Sequence, residues 1–379
     1  MQRSHFLLQH QWRSFPRLAL LLFLLLGVCL LCASGCAPSF VMRAAWEEFK
    51  ILQSREPLVD SIGDESISAE RRQKLALIQE VHRFIPRLGL EVGGLYTSYA
   101  ELDRDTLLWV LMASRRDAFE LYQWWFPFVG SVPYKGFFDK EDGKLAAKEL
   151  EDRGFETSLR TTDAFSTLGW FDDPVLSTML QRDQVELADL IIHETFHANI
   201  WIPGNVAFNE SAAHYVGMQG SVEYFTFASQ VELAKTAQQR QRWHIQFAGK
   251  LAALIEELSA LYASNASSQE KISRRQSIYS EAVSEIMRTH PSATLPKEIN
   301  NASLMQWRVY MTHLERFEAL FERCKGNWDE FMEELRLIAL LAGRSRSLDP
   351  FALLAERAQS CEGQTRNALK SRYVYIPPE

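Results

Sequence analysis

Apolar side chains change rhythm several times along this chain, and each rhythm predicts a different element. Residues 18–31 are an almost unbroken apolar run. Residues 41–58, with Trp46 and Phe49, read as a helix, and residues 66–84 as another, because Leu75, Ile78, Val81 and Phe84 share one helical face. A turn at Gly93-Gly94 leads to Tyr96-Thr-Ser-Tyr99, and the period then shortens. Residues 106–113 form a compact apolar stretch, a predicted strand; residues 122–132 are aromatic and β-prone, with a turn at Gly130. Residues 157–170 are expected to be strand as well, after a charged helix over 141–153 with Leu145, Ala146 and Leu150 inward.

Helical spacing returns at Asp183. From there to Ile200 no Gly or Pro occurs, and Leu187, Leu190, Ile191, Phe196 and Ile200 recur at roughly helical intervals. Asp183 followed by Glu186 is a capping-box pattern, which sets the start of the helix. Pro203 and Gly204 end it, and a second helix is expected to begin near residues 208–211. Further on, residues 234–261 and 269–290, joined at 264–268, predict a helical hairpin. Residues 300–320 and 328–341 read as amphipathic helices, and 344–379 as less regular. The fold class is α+β, predominantly helical.

With 379 residues, 47% of them hydrophobic and 12% aromatic, the chain has ample material for a core. Its formal charge of −7 understates the acidity of the body. The first 46 residues carry basic and no acidic side chains, and without Arg3, Arg13 and Arg17 the rest holds 38 basic against 48 acidic residues. Such a body is poorly suited to a phosphate backbone, so no nucleic-acid partner is expected.

Residues 1–35 read as a signal peptide: a basic region, a short apolar run, then Ala33-Ser34-Gly35-Cys36. Small residues before a cysteine resemble a bacterial lipobox, with Ala33 where Leu is usual, and make Cys36 the candidate lipidation site. An uncleaved anchor is the alternative, and both tie the body to a membrane. Ala37 after the cysteine favours the outer membrane, with the body facing the periplasm. Cys29 and Cys32 leave with the leader, and Cys324 and Cys361 remain for an oxidising compartment.

The chemistry sits on the helix from Asp183. His193, Glu194 and His197 form H-E-x-x-H, and residues four apart share a helical face, so both imidazoles can address one point. Neutral imidazole suits zinc, and Glu194 is placed to take a proton from a water on the metal. A catalytic zinc needs a third protein ligand and an open position. Helix, turn and returning helix can bring Glu210 opposite the histidines, so the expected site is one Zn²⁺ held by His193, His197 and Glu210.

His193 to His197, followed by Phe208-Asn-Glu-Ser-Ala-Ala213, resembles the gluzincin metallopeptidases. More specifically, the chain is similar to a bacterial zinc aminopeptidase family of predicted lipoproteins. That likeness also takes in Trp125-Phe-Pro-Phe-Val-Gly-Ser-Val-Pro-Tyr-Lys-Gly-Phe137, Ser166-Thr-Leu-Gly-Trp-Phe-Asp-Asp-Pro174 and Asn300-Asn-Ala-Ser303. The resemblance implies a zincin-like metallopeptidase core with a small sheet over 66–220, after a membrane-proximal segment at 36–65. A helical part over 221–379 closes the cleft.

It also implies catalysis by Glu194, an oxyanion donor such as Tyr310, and an edge strand at Thr167, Leu168, Gly169 and Trp170 that binds a peptide substrate. His214 stands four residues after Glu210, where some gluzincins place an Asp, and is expected to support the site rather than bind metal. The function implied is a membrane-anchored zinc aminopeptidase. A zinc endopeptidase, or an inert zinc-binding lipoprotein that docks an envelope partner, is the alternative. Asp172 and Asp173 are the carboxylates raised as candidates for a substrate amine.

Overall fold

The computed structural model describes residues 46, 49–126, 130–162, 172–289, 299–345 and 347–359. The chain divides into two compact units, one of residues 1–54 with 125–131, the other of 55–124 with 132–379. In the first, residues 49–54 are helical, and Trp46 stacks on Phe49 with ring centroids 5.7 Å apart. Cys36, Thr167, Leu168, Gly169, Trp170 and Cys361 lie outside the described residues. Among those described, no helix is long and apolar enough to cross a membrane, and Cys324 is buried as a free thiol.

The second unit opens with strand β1 (Glu56–Pro57) and helices α1 (Leu58–Gly63) and α2 (Ala69–Phe84). Ser68 caps α2 by accepting from the Arg71 amide, two residues inside the expected start. Strands β2 (Ser98–Ala100) and β3 (Leu108–Arg115) follow. The aromatic stretch gives a two-stranded ribbon, β4 (Trp124–Phe126) with β5 (Gly130–Val132), most of it in the first unit, and the second unit goes on with β6 (Lys135–Phe137). Helix α3 (Lys140–Asp152), capped by Asp139, leads into β7 (Phe155–Thr162), and β8 (Val175–Leu176) precedes the histidine helix.

β3 lies between β6 and β7, antiparallel to both, in a register that pairs Leu111 with Lys135 and with Leu159. Leu111 and Ala113 of β3 pack against Ala147 and Leu150 of α3, so the helix covers one face of the sheet. A second small sheet orders β1-β2-β8, with β2 and β8 parallel.

The remainder is helical: α4 (Gln184–Asn199), α5 (Val206–Phe227), α6 (Val231–Ala263), α7 (Ser268–Thr289), α8 (Asn301–Tyr310), α9 (Leu314–Arg323), α10 (Trp328–Arg344) and α11 (Pro350–Gln359). Leu251, Leu254, Ile255 and Leu258 of α6 bury against Tyr279 of α7 and Leu304 of α8, the expected hairpin core. An ion pair between Arg275 and Glu156 ties α7 to β7, and Glu156 also accepts the Asn301 amide at 3.0 Å.

Three segments differ from the sequence expectation. The helix expected over 41–58 stops at residue 54: Glu56 and Pro57 pair with β2 as β1, and Pro57 has no amide to give a helical ladder. Residues 300–320 are two helices, because His313 takes φ of 56° and the Thr312 amide leaves the ladder for the Ser211 hydroxyl at 3.0 Å. The C-terminal stretch holds a true helix, α11, whose Arg357 is buried against Glu334 of α10. Its Leu353 and Leu354 are buried, and the helix packs on α9 and α10.

Candidate metal centre

α4 begins as its capping box requires. The Asp183 carboxylate accepts from the Val185 and Glu186 amides at 3.0 Å each. Arg240 of α6 then grips that carboxylate with Nη1 at 2.9 Å and Nη2 at 2.6 Å, so the N-terminus is fixed from outside the helix as well. At the other end, Asn199 exchanges hydrogen bonds of 2.8 Å with the backbone of Glu91. The histidines ride on a helix held at both ends.

His193 and His197 are buried, with rings at 87° and Nε2 atoms 3.1 Å apart. The turn after α4 uses Gly204 at φ of +79°, a left-handed conformation that glycine adopts without strain. Asn209 clamps that turn: its Oδ1 accepts the Ile202 amide and its Nδ2 donates to the Ile202 carbonyl, both at 2.9 Å. With Asn209 facing the turn, the next residue faces α4. Glu210 Oε2 stands 3.5 Å from both histidine Nε2 atoms.

The three ligand atoms lie within 4.8 Å of one another. Tetrahedral binding at about 2.0–2.1 Å sets neighbouring ligand atoms roughly 3.3 Å apart. Edges of 3.1, 3.5 and 3.5 Å bracket that value, so His193, His197 and Glu210 fit one metal ion. Two neutral imidazoles and a carboxylate are also the donor set a catalytic divalent metal takes.

Close approach of α4 and α5 makes these distances possible. A Cβ on Gly217 would stand 2.1 Å from Asp189 Oδ1 and 3.2 Å from His193 Cβ, and one on Gly220 would stand 3.1 Å from Ile192 side-chain carbons. Asp189 is pushed up to about 7, chiefly by burial and against the pull of His193.

Charge in the site is strongly coupled. Burial opposes the charge on Glu210, but hydrogen bonding to His193 and His197 outweighs it and holds the carboxyl well below the usual range. Burial likewise opposes a charged His193, yet its bond to Glu210 and the nearby Glu194 carry its pKa upward. Glu194 is raised, first by burial and then, against the two histidines, by Glu210 and Asp173. A carboxylate with raised proton affinity, next to a metal-ligand triangle, suits a general base.

Three further groups surround the triangle. Ser211 of α5 donates to the Val309 carbonyl at 3.2 Å while accepting from Thr312, which pins the end of α8 to α5. Tyr310 is thereby laid over His193, with ring centroids 6.4 Å apart and planes 29° apart. Its phenol is raised first by burial and then by Glu210. Tyr134 is 45% exposed, yet its hydroxyl is also raised, by local burial first and then by Glu210. Tyr96, buried at φ of 55°, donates its amide to the Asp173 carbonyl at 2.8 Å. Burial and then Glu194 raise the Tyr96 phenol.

Of the two carboxylates raised for a substrate amine, Asp173 is buried and acts on Glu194. Asp172 instead lies against Gly94, where a Cβ would meet Oδ1 at 2.2 Å, and its carbonyl accepts from Arg55 at 3.1 Å. His214 is not among the ligands. Its Nε2 meets His244 Nδ1 of α6 at 2.8 Å, and burial holds both rings below the ordinary imidazole value, His244 at about 4.

Asn209 and Gly217 were legible in principle, as the residue before the candidate ligand and as a small residue seven positions after it on the same face. Arg160, which donates to the Tyr310 hydroxyl at 3.1 Å, had no sequence signal; a lone Arg on a strand is ordinary.

A family model described as "Putative aminopeptidase" matches residues 39–348. No curated protein and no solved structure matches the chain.

Proposed function

The chain belongs to that aminopeptidase family, and on that premise we propose that it is a membrane-anchored, zinc-dependent peptidase that removes residues from the N-terminus of peptides. One observation carries the reading: His193, His197 and Glu210 converge with the spacing of a three-ligand metal site, and Glu194 follows His193 on the same helix. A structural metal has no need of such a base.

His193, His197 and Glu210 would hold the ion, and the open fourth position is left to water or substrate. When bound, zinc supplies Lewis acidity that makes water nucleophilic near neutral pH and polarises a carbonyl. Glu194 takes the proton of the attacking water and passes it to the leaving amine nitrogen. Tyr310, laid across His193, donates its hydroxyl hydrogen to the oxygen that gains charge as the carbonyl is attacked. Asp173, whose charge acts on Glu194, is the carboxylate assigned to a free substrate amine. Membrane attachment rests on the leader and Cys36, with the body facing the periplasm.

The test is hydrolysis of paired peptides with free and blocked N-termini by zinc-loaded protein. Preference for the free amine that weakens in Asp173→Asn supports the reading. Equal cleavage of both makes the protein an endopeptidase, and no cleavage of either removes the enzymatic reading.

A further inference from the structure

Beyond the Glu156–Asn301 bond, three side-chain contacts follow one another along strand β7 and helix α8. Asn300, the cap of α8, donates Nδ2 to the Thr157 carbonyl at 3.0 Å. One position on, the Ser158 hydroxyl donates to Gln306 Oε1 at 2.9 Å. Last in the row, Arg160 Nη2 donates to the Tyr310 hydroxyl oxygen at 3.1 Å, and its guanidinium carbon lies 5.3 Å from the Tyr310 ring centroid. Among the described residues, Arg160 Nε is buried and makes no hydrogen bond.

The first two contacts join a side chain to backbone or to a neutral side chain. The third joins a permanent cation to Tyr310, whose ring lies over His193 of the candidate metal site.

We propose that Arg160 is a positioning residue for Tyr310, fixing the ring over His193 and directing the hydroxyl hydrogen away from β7 into the metal site. A guanidinium can only donate, so the phenol oxygen must act as acceptor toward it. The hydroxyl hydrogen then has to point elsewhere. A lone pair already engaged by a cation also makes the remaining O–H a better donor. Ring and hydroxyl are therefore set before substrate arrives, as preorganised stabilisation of developing charge requires. This rests on the reading of Tyr310 as the donor to the oxyanion.

Arg160→Gln keeps a polar side chain and loses the cation, Arg160→Lys keeps the charge without the fork, and Tyr310→Phe removes the acceptor. In the detergent-solubilised, zinc-loaded full chain, Arg160→Gln should lower kcat on a free-amine peptide by about 10-fold with KM little changed. In the Tyr310→Phe background the same change should cost almost nothing, and Arg160→Lys should recover part of the loss. Additive losses, or a loss confined to KM, would overturn the proposal, because Arg160 would then act on substrate by itself.

Fluorotyrosine labelling with 19F NMR supplies a readout that needs no turnover, the Tyr310 resonance being the one missing in Tyr310→Phe. Arg160→Gln should shift or broaden that resonance, and an unchanged line overturns the positioning role. If wild type cleaves and Tyr310→Phe is fully active, the reading of Tyr310 fails, and with it the proposal. If wild type cleaves nothing, the peptidase reading fails and the NMR line alone decides whether Arg160 fixes the ring.

Discussion

Gly217 of α5 faces Asp189 of α4 so closely that a Cβ would stand 2.1 Å from Oδ1 and 2.8 Å from the backbone carbonyl of Asp189. The carboxylate can swing aside, but the carbonyl cannot move cheaply, since it belongs to the helix that carries both histidines. Gly217→Ala should therefore push α4 and α5 apart, destabilising the fold by about 1–3 kcal/mol and weakening metal retention. Gly249→Ala on α6 is the control: nothing lies within 4 Å of its Cβ. Helix propensity makes that change neutral to stabilising, by up to about 1 kcal/mol. Denaturant melts and metal retention on both variants decide the point; a harmless Gly217→Ala would mean that the close approach is not required.

The ligand triangle sets a second expectation. Purified protein should hold about one zinc per chain, and His193→Ala, His197→Ala and Glu210→Ala should each lose it. Asn209→Ala should weaken binding without removing a ligand, because the Ile202 clamp that turns Glu210 toward α4 is gone. Elemental analysis after dialysis is the measurement. Full zinc in Glu210→Ala would remove Glu210 from the ligand set.

Glu194→Gln keeps shape and removes the base. It should leave zinc content and melting behaviour near wild type while cutting hydrolysis by roughly 10²–10⁴-fold. Retained activity would shift the base to another group, Asp173 first.

The His214–His244 pair gives the fold a dependence on acidity. His244 sits at about 4 in the fold because burial disfavours its charged form, whereas an exposed imidazole titrates near 6.5. Between those values the unfolded chain binds the extra proton, so this contribution is complete above about pH 6.5 and is lost as pH falls toward 4. Removing the ring should flatten the curve. From pH 7 to 5, wild type should lose on the order of 2 kcal/mol more than His244→Gln. Parallel stability curves over that range would show that the ring is not held neutral.

Anchoring has its own test. With Cys36 as the lipid acceptor, Cys36→Ser should abolish incorporation of a fatty-acid probe and leave unprocessed precursor. Labelling that persists would move the lipid to another cysteine, and absence of labelling in wild type would favour an uncleaved anchor.

Local chemistry made much of this protein legible without coordinates. Asp183 and Glu186 cap the histidine helix as their spacing predicts, because capping involves only residues within one turn. His193 and His197 converge because a helix places residues four apart on one face whatever surrounds it. The hairpin of α6 and α7 was readable for the same reason: its pattern repeats over many turns, and a polar break joins the two helices.

Tertiary structure decided everything that depends on distance between segments far apart in the chain. Glu210 could be chosen as a ligand from the order of helix, turn and helix, but its 3.5 Å approach depends on the Asn209 clamp and on glycine at 217. Tyr310 reaches His193 only because Ser211 diverts the Thr312 amide and ends α8 there, where periodicity alone ran the helix on to residue 320. Arg160 lies 150 positions from Tyr310, and nothing local to either marks the contact. Spacing along a helix is set by the backbone and is written in sequence. Contact across helices and strands is set by how side chains pack, and only the folded chain fixes it.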